Sequence, residues 1–210
     1  YDRFVNQGAV MGDSFGLENV LWFANNKEDA HEEPTIKRSR SHDYVSREVI
    51  NVRENVGLIE VANFSKHEFK GTDARKFLDH VMAGKLPKPG RISLSPMLSY
   101  RGKLCGDLTV ACFDENEFMV FGSGAAQEMH RRWFESHLDK FDVNYKNRSD
   151  EFHGISIAGP NSRKVLEKIV RDDVSNEKFK FRDSRRMFVG GVPAIINRIS
   201  FTGELGYEIY

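Results

Sequence analysis

Two carboxylates stand at positions that rarely hold one. Asp107 lies in Tyr100–Val110, YRGKLCGDLTV, where a turn at Arg101-Gly102-Lys103 feeds a strand with apolar Leu104, Leu108 and Val110. Glu208 lies in Tyr207–Tyr210, and strand alternation turns it to the face opposite Tyr207 and Ile209. Acidic side chains are disfavoured in strands and costly to bury unpaired. Each carboxylate therefore faces solvent, makes a structural hydrogen bond, or is held for a purpose. The chemistry open to it is definite: it can accept a proton in a transition state, steady a nearby cation, or offer two parallel acceptors to a planar ligand edge.

Other candidates are weaker. Gly122-Ser123-Gly124 opens a helix, where free backbone N–H groups can receive an anion or a polar ligand edge, and a plain tight turn is the alternative. It is no nucleotide fingerprint, since GxGxxG and GxxxxGK[ST] are both missing. Lys37-Arg38-Ser39-Arg40 is a solvated loop or an anion clamp. The seven histidines are scattered, and His130 and His137 share a helix face but stand two turns, ~10 Å, apart, too far for one metal ion. No metal is expected.

The elements that must position these groups follow from periodicity. Residues 1–44 read as a weakly patterned lead-in and linker, with Asn25–Pro34 a polar loop. Val45, Val49, Val52 and Val56 predict an amphipathic helix stopped at Asn55 and Gly57. Leu58–Val61 and Lys66–Lys70 read as strands. Thr72 is expected to cap a helix with Ala74, Phe77, Leu78, Val81 and Met82 as its buried stripe. Ile92, Leu94, Pro96 and Leu98 alternate as a strand, Glu117–Phe121 forms another, and Met129, Trp133, Phe134, Leu138 and Phe141 mark the buried side of a helix. Val143-Tyr145 and Ile155–Ala158 read as strands, and Gly159-Pro160 starts a helix. Gly190-Gly191 predicts a hairpin, and Arg198–Phe201 leads into a tight turn at Thr202–Gly206. The order predicts an α+β fold, with helices packed on mostly antiparallel sheets.

The bulk properties exclude some functions. Lys plus Arg and Asp plus Glu are 31 each, a balance that argues against a nucleic-acid partner. No apolar run approaches the ~20 residues that span a bilayer, so no membrane partner is expected. Cys105 and Cys112 read as small core residues of a reducing compartment, not as a disulfide. The chain begins without Met and stops inside a strand, and is expected to be a fragment of a longer protein.

Four motifs, in order and spacing, resemble the glycine-cleavage T-protein (aminomethyltransferase) family: GLIEVANFSKHEFKGTDARKFL, LSYRGKLCGDLTV, ISIAGPNSRKVL and RISFTGELGYEIY. The resemblance covers roughly residues 45–210. FGLENVLWFA, FGSGAAQEMHRRWF and FTGELGY are most similar to the C-terminal half of dimethylglycine and sarcosine dehydrogenases.

The resemblance implies part of a three-domain cloverleaf, truncated before its C-terminal domain, with tetrahydrofolate in a central channel. It implies that Asp107 lies by the reactive edge of the folate and that Glu208 grips the pterin. Phe201 falls where the family stacks an aromatic, usually Tyr. Ser123 falls near a polar contact, and Leu94 replaces an aromatic. Gly106 stands where a second acidic residue is common. The implied reaction joins an electrophilic one-carbon unit from a small methylamine-derived donor to N5 of tetrahydrofolate. FAD and its oxidoreductase domain are expected N-terminal to this chain in the parent, since no dinucleotide motif is present. The alternatives are a stand-alone aminomethyltransferase, a related demethylase, or a non-catalytic folate-binding domain. The expected compartment is a bacterial cytoplasm or a mitochondrial matrix.

Overall fold

A computed structural model describes residues 1–14 and 16–210. It divides into two units, residues 1–57 and 58–210.

In the N-terminal unit a short helix, α1 (Asp2–Asn6), precedes two antiparallel strands, β1 (Ala9–Ser14) and β2 (Leu17–Phe23). Residues read from the sequence as a weakly patterned lead-in thus form a hairpin. Its packing signal is small: Val10, Trp22 and Ala24 make the buried cluster, and Trp22 lies 4.9 Å from the Tyr44 ring. Gly8 has a φ of +89°, and a Cβ there would meet the Ala24 carbonyl oxygen at 2.1 Å, so the turn into β1 requires glycine. The predicted valine helix is α2 (Ser41–Glu54), capped at Asn55. It buries none of its residues, and Val45 and Val49 are exposed.

The C-terminal unit is built on two five-stranded sheets. The first has the order β5 (Arg91–Leu98), β6 (Leu104–Asp114), β7 (Glu117–Gly122), β4 (Ser65–Lys70), β8 (Asn144–Asn147), each pair antiparallel. The second has the order β10 (Ser184–Val189), β11 (Val192–Asn197), β12 (Gly206–Ile209), β9 (Ile155–Ala158), β3 (Gly57–Glu60). Three helices accompany them: α3 (Ala74–Val81), α4 (Gln127–Glu135) and α5 (Ser162–Leu166). This is the α+β architecture that periodicity predicts.

The two faces of the β6 sheet differ. One carries Phe69, Met97, Leu108, Val110, Cys112, Phe118 and Val120 and packs with Phe77, Leu78, Val81 and Phe134 into the main core. Ile92, Ala111, Met119 and Phe121 form a second cluster with Ile195 and Tyr210 of the β12 sheet. Register puts Leu94, Thr109 and Phe121 in one cross-strand row of this second face, with Pro96 and Asp107 in the next.

Several local readings are corrected. Thr72 does not cap α3: its hydroxyl donates to Asp142 Oδ2 at 2.8 Å, and Asp73 is the N-cap residue. In β5 the buried apolar residues are Ile92 and Met97, while Leu94 and Leu98 are exposed. Ser93, Ser95 and Met97 hold the positions facing the main core there, so the apolar alternation does not mark it. Helix α4 ends at Glu135, short of Leu138 and Phe141, and Met129 is exposed. His137 therefore lies beyond the helix, against Trp133 with ring centroids 4.7 Å apart, and does not share a face with His130. Both cysteines are free. Among the described residues, no helix is long and apolar enough to cross a membrane.

Candidate functional site

Glu208 is carried on β12 between two strands. It pairs in register with Asn197 of β11 and Ser156 of β9, and Asn197 pairs with Ser184 of β10. Four polar residues thus cross the sheet in one row, and all four are buried. The Ser184 hydroxyl donates to Asn197 Oδ1 at 2.7 Å. Asn197 Nδ2 is buried with no hydrogen-bond partner. Glu208 Oε2 accepts one bond, from the Tyr210 hydroxyl at 3.0 Å. Burial pushes the Glu208 carboxyl above its ordinary range, and the Tyr210 bond only partly opposes this. An ionised carboxylate has about four acceptor sites, so this one is far from satisfied inside the protein.

Tyr210 links the two sheets. Its ring stacks on Phe121 with centroids 4.5 Å apart and an interplanar angle of 25°. The Lys66 ammonium lies 5.6 Å from the same ring, and is held by the carbonyls of Ala62 and Phe64, each at 2.7 Å. From Phe121 the register leads to Thr109 and, one row on, to Asp107. Asp107 is exposed on this face. Glu208 and Asp107 therefore belong to one unit and are joined through Tyr210, Phe121 and β6.

The other expected residues divide. Leu94 stands beside Thr109 on the Asp107 face and is exposed. Ser123 is exposed just past β7, where Gly124 starts a 3₁₀ turn. A Cβ at Gly124 would meet the Asn63 carbonyl oxygen at 1.9 Å, so close packing requires that glycine. Phe201 is 97% exposed and stacks on no ring among the described residues. It sits in the turn before β12, whose neighbours Arg198, Ser200, Gly203 and Gly206 help line a cavity of about 300 Å³. Asn197 was missed by sequence reasoning; its signal was a polar residue closing the apolar run VPAIIN.

A larger cavity, about 740 Å³, lies in the N-terminal unit beside Arg38 and Arg40. Arg40 is already paired with Asp29 at 2.5 Å and Glu33 at 3.2 Å. Its lining carries Asp29, Glu33 and Asp43 against Arg38, Arg40 and Arg47, which leaves no net charge to select an anion. Among the described residues no cluster of His, Cys, Asp and Glu is placed to hold a metal ion.

The chain belongs to the GCVT N-terminal domain family, whose profile matches residues 1–210. It is 36% identical over 203 residues to mitochondrial dimethylglycine dehydrogenase of Mus musculus, covering 95% of this chain and 23% of that protein. It is 30% identical over 212 residues to an aminomethyltransferase of Thermosipho melanesiensis, covering 100% of this chain and 53% of that one. The glycine cleavage system aminomethyltransferase T of Bartonella henselae superposes with a TM-score of 0.79 at 20% identity, over 100% of this chain and 51% of that one. The chain thus spans about a quarter of the dehydrogenase and about half of the aminomethyltransferases.

Proposed function

We propose that this chain forms part of a tetrahydrofolate-dependent one-carbon transfer module of the dimethylglycine dehydrogenase type. The observation that carries this reading is Glu208: a buried carboxylate with one internal partner, beside the unpartnered amide of Asn197. A pterin edge presents adjacent N–H donors at N3 and the 2-amino group, and a carboxylate can accept both. The groups present fit that edge, and the raised pKa of Glu208 falls when N–H donors arrive.

Tetrahydrofolate supplies the nucleophilic nitrogen that takes up the one-carbon unit. Glu208 holds the pterin and sets its orientation. Asp107, exposed on the face that runs from Phe121, accepts the proton shed by the attacking nitrogen and steadies the cationic donor. Leu94 and Ser123 line the approach, and Phe201 closes over the ligand from its exposed turn. Positioning of this kind and general base help together account for the rate. The donor is a small methylamine-derived unit, delivered by a flavin oxidoreductase domain of the parent protein. The higher identity to the dehydrogenase than to the aminomethyltransferase favours this over the stand-alone enzyme.

Titration of the protein with tetrahydrofolate by calorimetry, with Glu208→Ala alongside, tests the reading. Saturable binding that the substitution abolishes is the expected result. Equal affinity in both proteins would remove Glu208 from the site and with it the basis of the proposal.

A further inference from the structure

Behind the Asp107 strand, on the core face of the β6 sheet, the buried polar atoms without a partner among the described residues include Ser65 Oγ, His67 Nε2 and His130 Nδ1. These three belong to one neighbourhood. Ser65 and His67 point to the same face of β4, and Ser65 pairs with Gly122 of β7. The space a Cβ would take at Gly122 lies 3.1 Å from Ser65 Oγ and 3.2 Å from His130 Nδ1. The His67 and His130 rings meet edge to face with centroids 6.2 Å apart.

The proton positions follow from the partners that are present. His130 Nε2 faces the Cys105 carbonyl at 3.3 Å, and a carbonyl only accepts, so Nε2 carries the proton and Nδ1 offers a lone pair. His67 Nδ1 meets the Tyr145 hydroxyl at 2.8 Å. Burial raises the Tyr145 pKa, so the hydroxyl keeps its proton; where it donates to Nδ1, His67 Nε2 carries the ring proton. Burial also lowers both histidines, His67 to about 4, and keeps them neutral. The Ser65 hydroxyl and the lone pair of His130 thus flank the space over Gly122, with Leu108 Cδ2 on another side of it, and the His67 ring lies against His130.

We propose that Ser65, His67 and His130 bind a single internal water, and that this water fixes the His130 ring beneath the segment of β6 that carries Asp107. The water accepts from His67 Nε2–H and donates to His130 Nδ1 and Ser65 Oγ. Three hydrogen bonds are what a conserved internal water typically makes. His130 acts as a positioning residue. Its Nε2–H holds the Cys105 carbonyl two residues before Asp107, and its ring occupies the space above Gly106, where a Cβ would come within 2.8 Å of Nε2. An acidic side chain at 106 would have to displace that ring. The catalytic consequence rests on the assignment of Asp107, whereas the water site does not.

The water site is read without folate, and only the positioning role of His130 is read with it. Nitrogen-15 shifts of the histidine rings are expected to show His67 and His130 neutral, both protonated at Nε2, with His130 Nδ1 accepting a hydrogen bond. A high-resolution crystal map is expected to show one water-sized peak within hydrogen-bond reach of all three atoms. In Ser65→Ala the peak weakens or vanishes and the amide shifts of residues 105–107 move. In His130→Gln, which keeps a donor toward Cys105 and loses the Nδ1 acceptor, turnover falls at unchanged folate affinity. No peak at the site, a His130 protonated on Nδ1, or a peak with anomalous scattering, which would mark a metal ion, each overturns the water site. Intact shifts at 105–107 in both variants overturn the positioning role and leave the folate reading where it stands.

Discussion

Glu68 and Glu208 are buried to the same depth, 6% and 8% exposed, and the fold answers them in opposite ways. Glu68 Oε2 receives the Lys70 ammonium at 3.0 Å and an Arg148 guanidinium nitrogen at 2.9 Å. Burial pushes the Glu68 pKa up, but these two cationic hydrogen bonds outweigh it and leave the group below its ordinary range. Glu208 has no cation and one phenol, and burial leaves it above that range. A carboxylate completed by its own chain is part of the scaffold. One left short of partners at the same depth destabilises the fold unless something else supplies the donors. Asp107 is a third case: exposed and hydrated, it costs the fold little and is available to a reactant.

The largest effect that sharpens this contrast belongs to Asp107→Asn. Turnover to methylene-tetrahydrofolate by the full-length parent is expected to fall about 100- to 10,000-fold. Urea unfolding should stay within about 0.5 kcal/mol of the parent, as for exposed sites generally. A clear loss of stability with intact turnover would make Asp107 a structural hydrogen-bond acceptor and break the contrast. Next is Glu208→Gln, which keeps an acceptor for Tyr210 but replaces the second oxygen by a donor. Tetrahydrofolate affinity is expected to fall roughly 10- to 100-fold, the worth of one or two charge-assisted hydrogen bonds. Glu68→Gln, measured in parallel, should leave that affinity within about twofold, because its partners are internal. Equal losses in the two variants would mean that depth of burial, not the supply of partners, decides which carboxylate binds.

Much of this organisation is legible in the sequence, and the rest fails for physical reasons. The α3 stripe, the Gly190-Gly191 hairpin and the strand that bears Glu208 follow from local periodicity and turn chemistry, which need no tertiary information. Asp107 and Glu208 stand out because a carboxylate in an apolar strand demands an account. Thr72 misleads because its hydroxyl has a competing partner in Asp142, 70 residues away, which no local rule can anticipate. Leu94 misleads because alternation tells which residues share a face but not which face is covered. Asn197 becomes meaningful only when register sets it beside Glu208, and His67 and His130 only when packing sets them beside Tyr145 and Gly106. The partners that make a polar residue functional are mostly remote in sequence.

The smallest expected effect tests the contrast on the fold alone. The Glu68 pKa is lowered on folding, so its contribution to stability is present above the ordinary carboxylate range and is lost as pH falls through the lowered value. Glu208 is raised, so its contribution is present below the ordinary range and is lost as pH rises through the raised value. The two glutamine variants should therefore diverge with opposite signs. At pH 7 Glu68→Gln is expected to cost about 1–3 kcal/mol, the worth of hydrogen bonds to a charged group, and this cost should shrink toward pH 3. Glu208→Gln should raise the urea midpoint at pH 7, because it removes a buried carboxyl whose ionised form lacks partners, and the gain should vanish at pH 3, below the ordinary carboxylate range. Saturating tetrahydrofolate at pH 7 should reverse the order for Glu208: the parent gains stability by mass action and the variant gains less. If Glu208→Gln destabilises the free protein at pH 7 as Glu68→Gln does, then Glu208 already has its partners inside the fold and is scaffold after all.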